Sequence, residues 1–160
     1  MTVLGIAIVG GAAASFAMDV VQDGFAALVE RRRAPGDRDE EVEAIETVVR
    51  LVGKLAPDLA SDGVAHVTAR ALHYAFGIGF AWAYVAATRR APKLAAGRGV
   101  AFGTGLFVLS DRILIPMLKL GRSWDRYSRT ERLDAWLSHV AYGAVLESAR
   151  TRFASRGDAR

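Results

Sequence analysis

The chain has 160 residues, 52% of them hydrophobic, with 21 Lys and Arg against 17 Asp and Glu for a net charge of +4, and 16 Gly. That length fits a single domain, and a mean hydropathy of +0.20 with so small a net charge excludes disorder for most of the chain. The absence of Cys excludes disulfide frameworks, thiol nucleophiles, Cys-type zinc sites and covalent haem attachment. A pI of about 9.8 would admit nucleic acid as a partner, but no binding motif accompanies it and the Arg residues fall at segment ends, so none is expected.

The charges are partitioned. Residues 1–30 carry only Asp19, Asp23 and Glu30, and residues 71–88 carry none, whereas residues 31–70 hold 15 charges. A spanning helix needs about 20 apolar residues to cross a hydrocarbon core of about 30 Å. The first stretch of that kind, residues 3–29, is uncharged from Val3 to Met18 and leaves no polar face for water. Small residues at Ala12 to Ala17 stand at signal-cleavage spacing, but no basic segment precedes them, so the stretch is read as retained. Next comes a polar insert over 37–57. Asp37 or Asp39 can cap it, Glu40, Glu41 and Glu43 fill the first turn, Val42, Ile45, Val48, Val49 and Val52 make an apolar stripe, and Pro57 ends it: an amphipathic helix.

The second span is expected over 69–88, closed by Arg89 and Arg90, and the third over 99–118, with Asp111 and Arg112 inside it and a kink at Pro116. The fourth, over 133–153, has an uncharged centre only from Ala135 to Leu146. The expected fold is therefore all-α, a polytopic membrane protein with a four-helix bundle and the amphipathic helix between helices 1 and 2. A soluble four-helix bundle is the competing architecture. Arg31, Arg32 and Arg33 directly follow the first span. Seven Lys and Arg in 31–70 and five in 119–134 stand against four in 89–98 and four after Glu147. The positive-inside rule then puts the N-terminus outside. Trp124, Tyr127 and Trp136 near the start of the fourth span fit an interfacial aromatic belt.

Ionisable groups inside such spans are costly and need partners or a role. Asp19 and Asp23 share a helical face with Gln22 beside them, which suits a cation or proton site, or an ion pair from Asp19 to an Arg on another helix. Asp111 and Arg112 point apart around a helix and must find different partners. Arg112 could pair with Asp19 or Glu147, and Asp111 could relay protons. His73, on a stripe with Gly77, Phe80 and Tyr84, and His139, near Tyr142 and Gly143, offer two imidazoles on different helices. That is the minimum for one b-type haem, while hydrogen bonds to carboxylate, Ser138 or Tyr are the alternative. Gly99 and Gly103, like Ala7 and Gly11, are small residues at the spacing that lets helices approach closely. No nucleophile elbow, Walker sequence, HExxH or EF-hand loop occurs, so neither an enzyme nor a metal site is expected.

One ordered set of residues adds a resemblance. His73-Tyr74-Ala75-Phe76-Gly77, then Gly99-Val100-Ala101-Phe102-Gly103, Leu109-Ser110-Asp111, Pro116 and His139-Val140-Ala141-Tyr142-Gly143 follow the order found in the YagU-like family of small bacterial inner-membrane proteins. The likeness spans roughly His66 to Arg150, and Met18-Asp19 is similar as well. Tyr74 stands where the family often has Trp, and Arg112 where it often has Glu. The resemblance implies a multi-span helical protein of undefined activity with a part in acid tolerance. The expected function is then an accessory or structural protein of the bacterial inner membrane. It is built round an inward polar cluster of Asp19, His73, Asp111, Arg112, His139 and Tyr142, and carries no cofactor. Its partners are the lipid bilayer and other membrane subunits or further copies of itself. The alternative is a redox subunit holding haem b between His73 and His139.

Overall fold

The computed structural model describes residues 1–30, 64–117 and 127–158, and among them every regular element is helical. The expected amphipathic helix over 37–57 and Trp124 lie outside the described residues. Helix α1 runs Val3–Glu30, opened by Thr2, whose hydroxyl accepts the Gly5 N–H at 3.1 Å. Helix α2 runs Ala65–Thr88, four residues earlier than the apolar run. Its last turn is closed by the Thr88 hydroxyl, which donates to the carbonyls of Tyr84 and Val85 at 2.9 and 3.2 Å. Pro92 then begins a short 3-10 turn, Pro92–Gly99. The chain reverses through left-handed backbone at Gly97, Arg98 and Gly99, with φ of 63°, 55° and 89°.

The third span departs from its expected form. Helix α3 covers only Val100–Phe107, after which the backbone widens into a π-helical stretch, Val108–Leu114, and ends in a single turn, Ile115–Met117. The break thus precedes Pro116. Proline has no N–H for the turn before it and its ring crowds the carbonyl four residues back, here that of Arg112, which disturbs the later part of this stretch. Helix α4 runs Arg129–Asp158, starting four residues before Leu133. A reciprocal cap explains the early start: the Ser128 N–H donates to the Glu131 carboxylate at 2.5 Å, and the Glu131 N–H donates to the Ser128 hydroxyl at 3.2 Å.

Helix α1 packs against both α2 and α4, and α3 packs on α4. The contacts run antiparallel. Near the start of α1, Gly10 meets Leu146 and Ala149 of α4; Gly11 meets Ile78 and Ala81 of α2; further along, Asp19 meets Arg70 and Tyr74. The core is made of small and aromatic side chains, among them Ala7, Ala14, Ala81, Tyr84, Tyr142 and Leu146. The Tyr84 and Phe102 rings stack at 4.3 Å between α2 and α3. Glycine decides how close the helices come. A Cβ on Gly11 would stand 2.9 Å from both the Ala81 Cβ and the Ile78 Cα, and one on Gly143 would stand 2.8 Å from the Gly103 nitrogen. At these crossings backbone meets backbone.

By length and composition, one helix among the described residues is long and apolar enough to cross a membrane, over Val3–Leu28. The outward faces are nonetheless apolar on three elements. Leu4, Ile8, Phe16 and Val20 of α1, Phe76 and Trp82 of α2, and Val108, Leu109 and Ile113 after α3 are all exposed.

Candidate functional site

The six polar residues expected in one inward cluster fall into separate sites. On the α1–α2 contact, the Asp19 carboxylate accepts from the Tyr74 hydroxyl at 3.0 Å and from Arg70 at 3.4 Å. His73 Nε2 lies 3.2 Å from the other oxygen of Asp19, off the hydrogen-bond axis. Arg70 is largely exposed, so its ion pair adds little to stability. Asp23, one turn beyond Asp19, is exposed and no described contact draws it into this site. The two carboxylates therefore do not act as a pair. Asp19 does meet an Arg of another helix, Arg70 and not Arg112 as expected.

The second site joins the π-helical stretch to α4. His139 is buried, and its Nδ1 approaches the Ala135 carbonyl at 2.8 Å and an Asp111 carboxylate oxygen at 3.5 Å. A carbonyl only accepts, so these partners place the ring proton on Nδ1 and leave Nε2 with a lone pair. That lone pair faces the Ser110 hydroxyl at 3.0 Å. The one hydroxyl hydrogen of Ser110 has two further acceptors in reach, the Leu106 carbonyl at 2.9 Å and the Asp111 carboxylate at 3.2 Å. The Phe107 ring lies edge-on to the imidazole at 5.8 Å. The widened backbone is what gathers these groups. A π-helix has more residues per turn than an α-helix, so Ser110 and Asp111 diverge less around the axis and both reach His139.

Beside His139 Nε2, the Ser110 oxygen has the Leu106 carbonyl and the Asp111 carboxylate within reach. The arrangement suits holding and moving a proton.

Tyr142 belongs to a third place. Its buried hydroxyl donates to the Gly77 carbonyl, tying α4 to α2. Beside it, the Ser15 hydroxyl of α1 is fully buried against Gly77 with no hydrogen-bond partner among the described residues. A buried hydroxyl without a partner destabilises, so Ser15→Ala is expected to leave thermal unfolding unchanged or to raise stability by up to about 1 kcal/mol.

Sequence reasoning did not find a fourth site. The Glu147 carboxylate is held by Arg150 through two contacts, at 2.6 and 2.7 Å, and accepts from the Tyr84 hydroxyl at 2.8 Å. The available signal was Glu147 and Arg150 at one-turn spacing on α4. Arg112 is exposed, and the Asp19 and Glu147 carboxylates are engaged by Arg70 and Arg150. Ser110 and Tyr74, the hydroxyls that complete the two histidine sites, were quoted in the family pattern without a role.

The geometry gives no support to a haem between the two histidines. His73 is turned to Asp19 on α1, and both nitrogens of His139 are occupied by groups of α4 and the π-helical stretch. Among the described residues, no three His, Asp or Glu side chains gather as metal ligands.

The described chain is thus an all-helical bundle whose acidic and histidine side chains meet between helices. It belongs to the family described as "Protein of unknown function (DUF1440)", whose pattern matches residues 58–148. That stretch holds both histidine sites except for Asp19. No curated protein and no solved structure matches the chain.

Proposed function

We propose that the protein is a small integral membrane protein of the bacterial inner membrane, a structural or accessory component that performs no catalysis of its own and holds no cofactor. The observation that carries this reading is the direction of its polarity. Large apolar side chains such as Phe16, Phe76, Trp82 and Ile113 point outward, while Asp19, His73, Asp111 and His139 meet one another between helices. Contiguous exposed apolar surface marks a membrane or partner interface. Polar groups in hydrocarbon turn inward and pair.

In this reading α1, α2, the broken α3 and α4 all span, with lipid against their outer faces. The gap left by the π-helical stretch is tolerated because Ser110 and His139 serve it from inside the bundle. The distribution of Lys and Arg puts the N-terminus outside. The likeness to the YagU-like proteins supports the inner membrane and a part in acid tolerance. The carboxylate–imidazole pairs are the titratable elements through which the bundle would respond to pH. Partners are other membrane subunits or further copies packed through the apolar faces.

Fractionation tests this directly. The protein is expected to stay in the membrane pellet after an alkaline carbonate wash and to enter the supernatant only with detergent. Recovery in the soluble fraction without detergent would reject the reading and leave a soluble helical bundle. Asp111→Ala and His73→Ala are expected to change proton flux in proteoliposomes or survival in acid, and unchanged values for both would leave these residues a packing role alone.

A further inference from the structure

We infer that Ser110, Asp111 and His139 form a binding site for one proton at the contact of α4 with the π-helical stretch. The inference rests on the pH-linked reading above and names the site responsible for it.

The argument is one of hydrogen-bond inventory. In the neutral state, His139 Nδ1–H is held by the Ala135 carbonyl at 2.8 Å, and Nε2 accepts the Ser110 hydroxyl hydrogen across 3.0 Å. A proton added to Nε2 makes that nitrogen a donor, so the Ser110 hydrogen must move elsewhere. Two acceptors already stand within reach of the same oxygen, the Leu106 carbonyl at 2.9 Å and the Asp111 carboxylate at 3.2 Å. A rotation of one hydroxyl is enough, after which Nε2–H donates to Ser110 and Nδ1–H still donates to Ala135. Both protonation states are then fully hydrogen-bonded with the backbone unmoved. The added charge is balanced by Asp111 at 3.5 Å from Nδ1.

The charged group that the described contacts bring to His139 is Asp111. From the π-helical stretch come Asp111 and the neutral Ser110, from helix α3 the Phe107 ring edge, and from α4 itself the Ala135 carbonyl. On α1, Asp19 is engaged by α2 and Asp23 is exposed. The side chain of His139 is 9% exposed.

The other histidine is placed differently. His73 has a side chain 34% exposed, its Nε2 makes no hydrogen bond among the described residues, and the carboxylate beside it also has the Arg70 guanidinium as counter-charge.

The test is nuclear magnetic resonance of the full chain in detergent micelles with labelled histidine, which gives three imidazoles to follow, His66, His73 and His139. His139→Gln identifies its signals. The unsubstituted protein is expected to show His139 as the Nδ1–H tautomer at high pH and to titrate by one proton. In Asp111→Asn that titration is expected to shift, with the His73 signals unchanged. The Nε2–H tautomer, or no titration of His139 between roughly pH 4 and 9, would overturn the site in the unsubstituted protein whatever the variant does. So would a midpoint indifferent to Asp111→Asn in a variant that folds. Titration at His73 with none at His139 would reject this site while leaving the membrane reading intact. Recovery without detergent would reject the membrane reading while leaving the His139 titration to stand.

Discussion

Gly143→Leu is expected to separate α3 from α4 and to give the largest loss of stability of any single substitution in the described bundle. The backbone leaves no alternative. A Cβ at 143 already stands 2.8 Å from the Gly103 nitrogen and 3.0 Å from its Cα, and one at 103 stands 2.9 Å from the Val140 Cα. Neither neighbour is a side chain that could rotate away, so the helices must move apart. Overpacking of this kind typically costs about 1–3 kcal/mol, and contact with backbone puts this site at the upper end or beyond. Separation would also strip Ser110 from His139 and break the bond from the Trp136 indole N–H to the Thr104 hydroxyl, 3.1 Å long across the same contact. Thermal unfolding followed by circular dichroism, with Trp fluorescence as the local reporter, checks both. Gly105→Ala, on α3 across the same contact, is the control. Nothing lies within 4 Å of a Cβ there, and the better helix former should keep or raise stability by up to about 1 kcal/mol.

Glu147→Ala is expected to be nearly as damaging, for an electrostatic reason. Glu147 is buried and accepts from both Arg150 and Tyr84. Truncation leaves the Arg150 guanidinium, three-quarters buried, and the fully buried Tyr84 hydroxyl without their acceptor. Removing one partner of a buried pair costs about 3–5 kcal/mol, reduced here because Arg150 is partly exposed, so about 2–4 kcal/mol is expected. Tyr84→Phe removes only a donor to the charged group and should cost about 1.5–3 kcal/mol. The double variant should lose less than the sum of the two single losses, because the Tyr84–Glu147 contact is counted in both. Additive losses would show that the contact contributes nothing.

The legible parts of the fold were those set by short-range rules. Uninterrupted apolar runs located α1 and most of α2, and small residues four apart, Gly99 and Gly103, marked the tightest crossing. The start of α4 was also readable in principle, since Ser128 and Glu131 stand at capping-box spacing. The apolar run begins only at Leu133, so hydrophobic pattern alone starts the helix four residues late and the cap chemistry sets its true beginning. The break after Phe107 was placed too late. Pro116 announces a disturbance, but the turns it disturbs lie N-terminal to it, where the sequence Val108 to Leu114 is an ordinary helical string.

The site was legible in its components and not in its grouping. Asp19, His73, Asp111 and His139 are conspicuous because charge and imidazole are rare in apolar stretches. Which carboxylate meets which imidazole depends on helix rotation and on the π-helical widening, neither of which one-dimensional spacing encodes. The haem reading failed at that step: two histidines on two helices say nothing about whether their rings point at each other or, as here, each at its own aspartate. Arg112, which cost alone would bury, is exposed on the broken segment.

Placement of the four helices in the bilayer is most directly tested by thiol labelling, because the chain has no native Cys and each introduced one is unique. Phe16→Cys, Phe76→Cys and Leu109→Cys report the outward faces of three elements, and Lys93→Cys and Ser128→Cys report the two ends of the bundle. In intact cells, an impermeant maleimide is expected to label Lys93→Cys, to label Ser128→Cys only after permeabilisation, and to leave the three apolar positions unlabelled until the protein is denatured in detergent. Free labelling of Phe76→Cys and Leu109→Cys in native membranes would contradict a four-span bundle and place those faces in water.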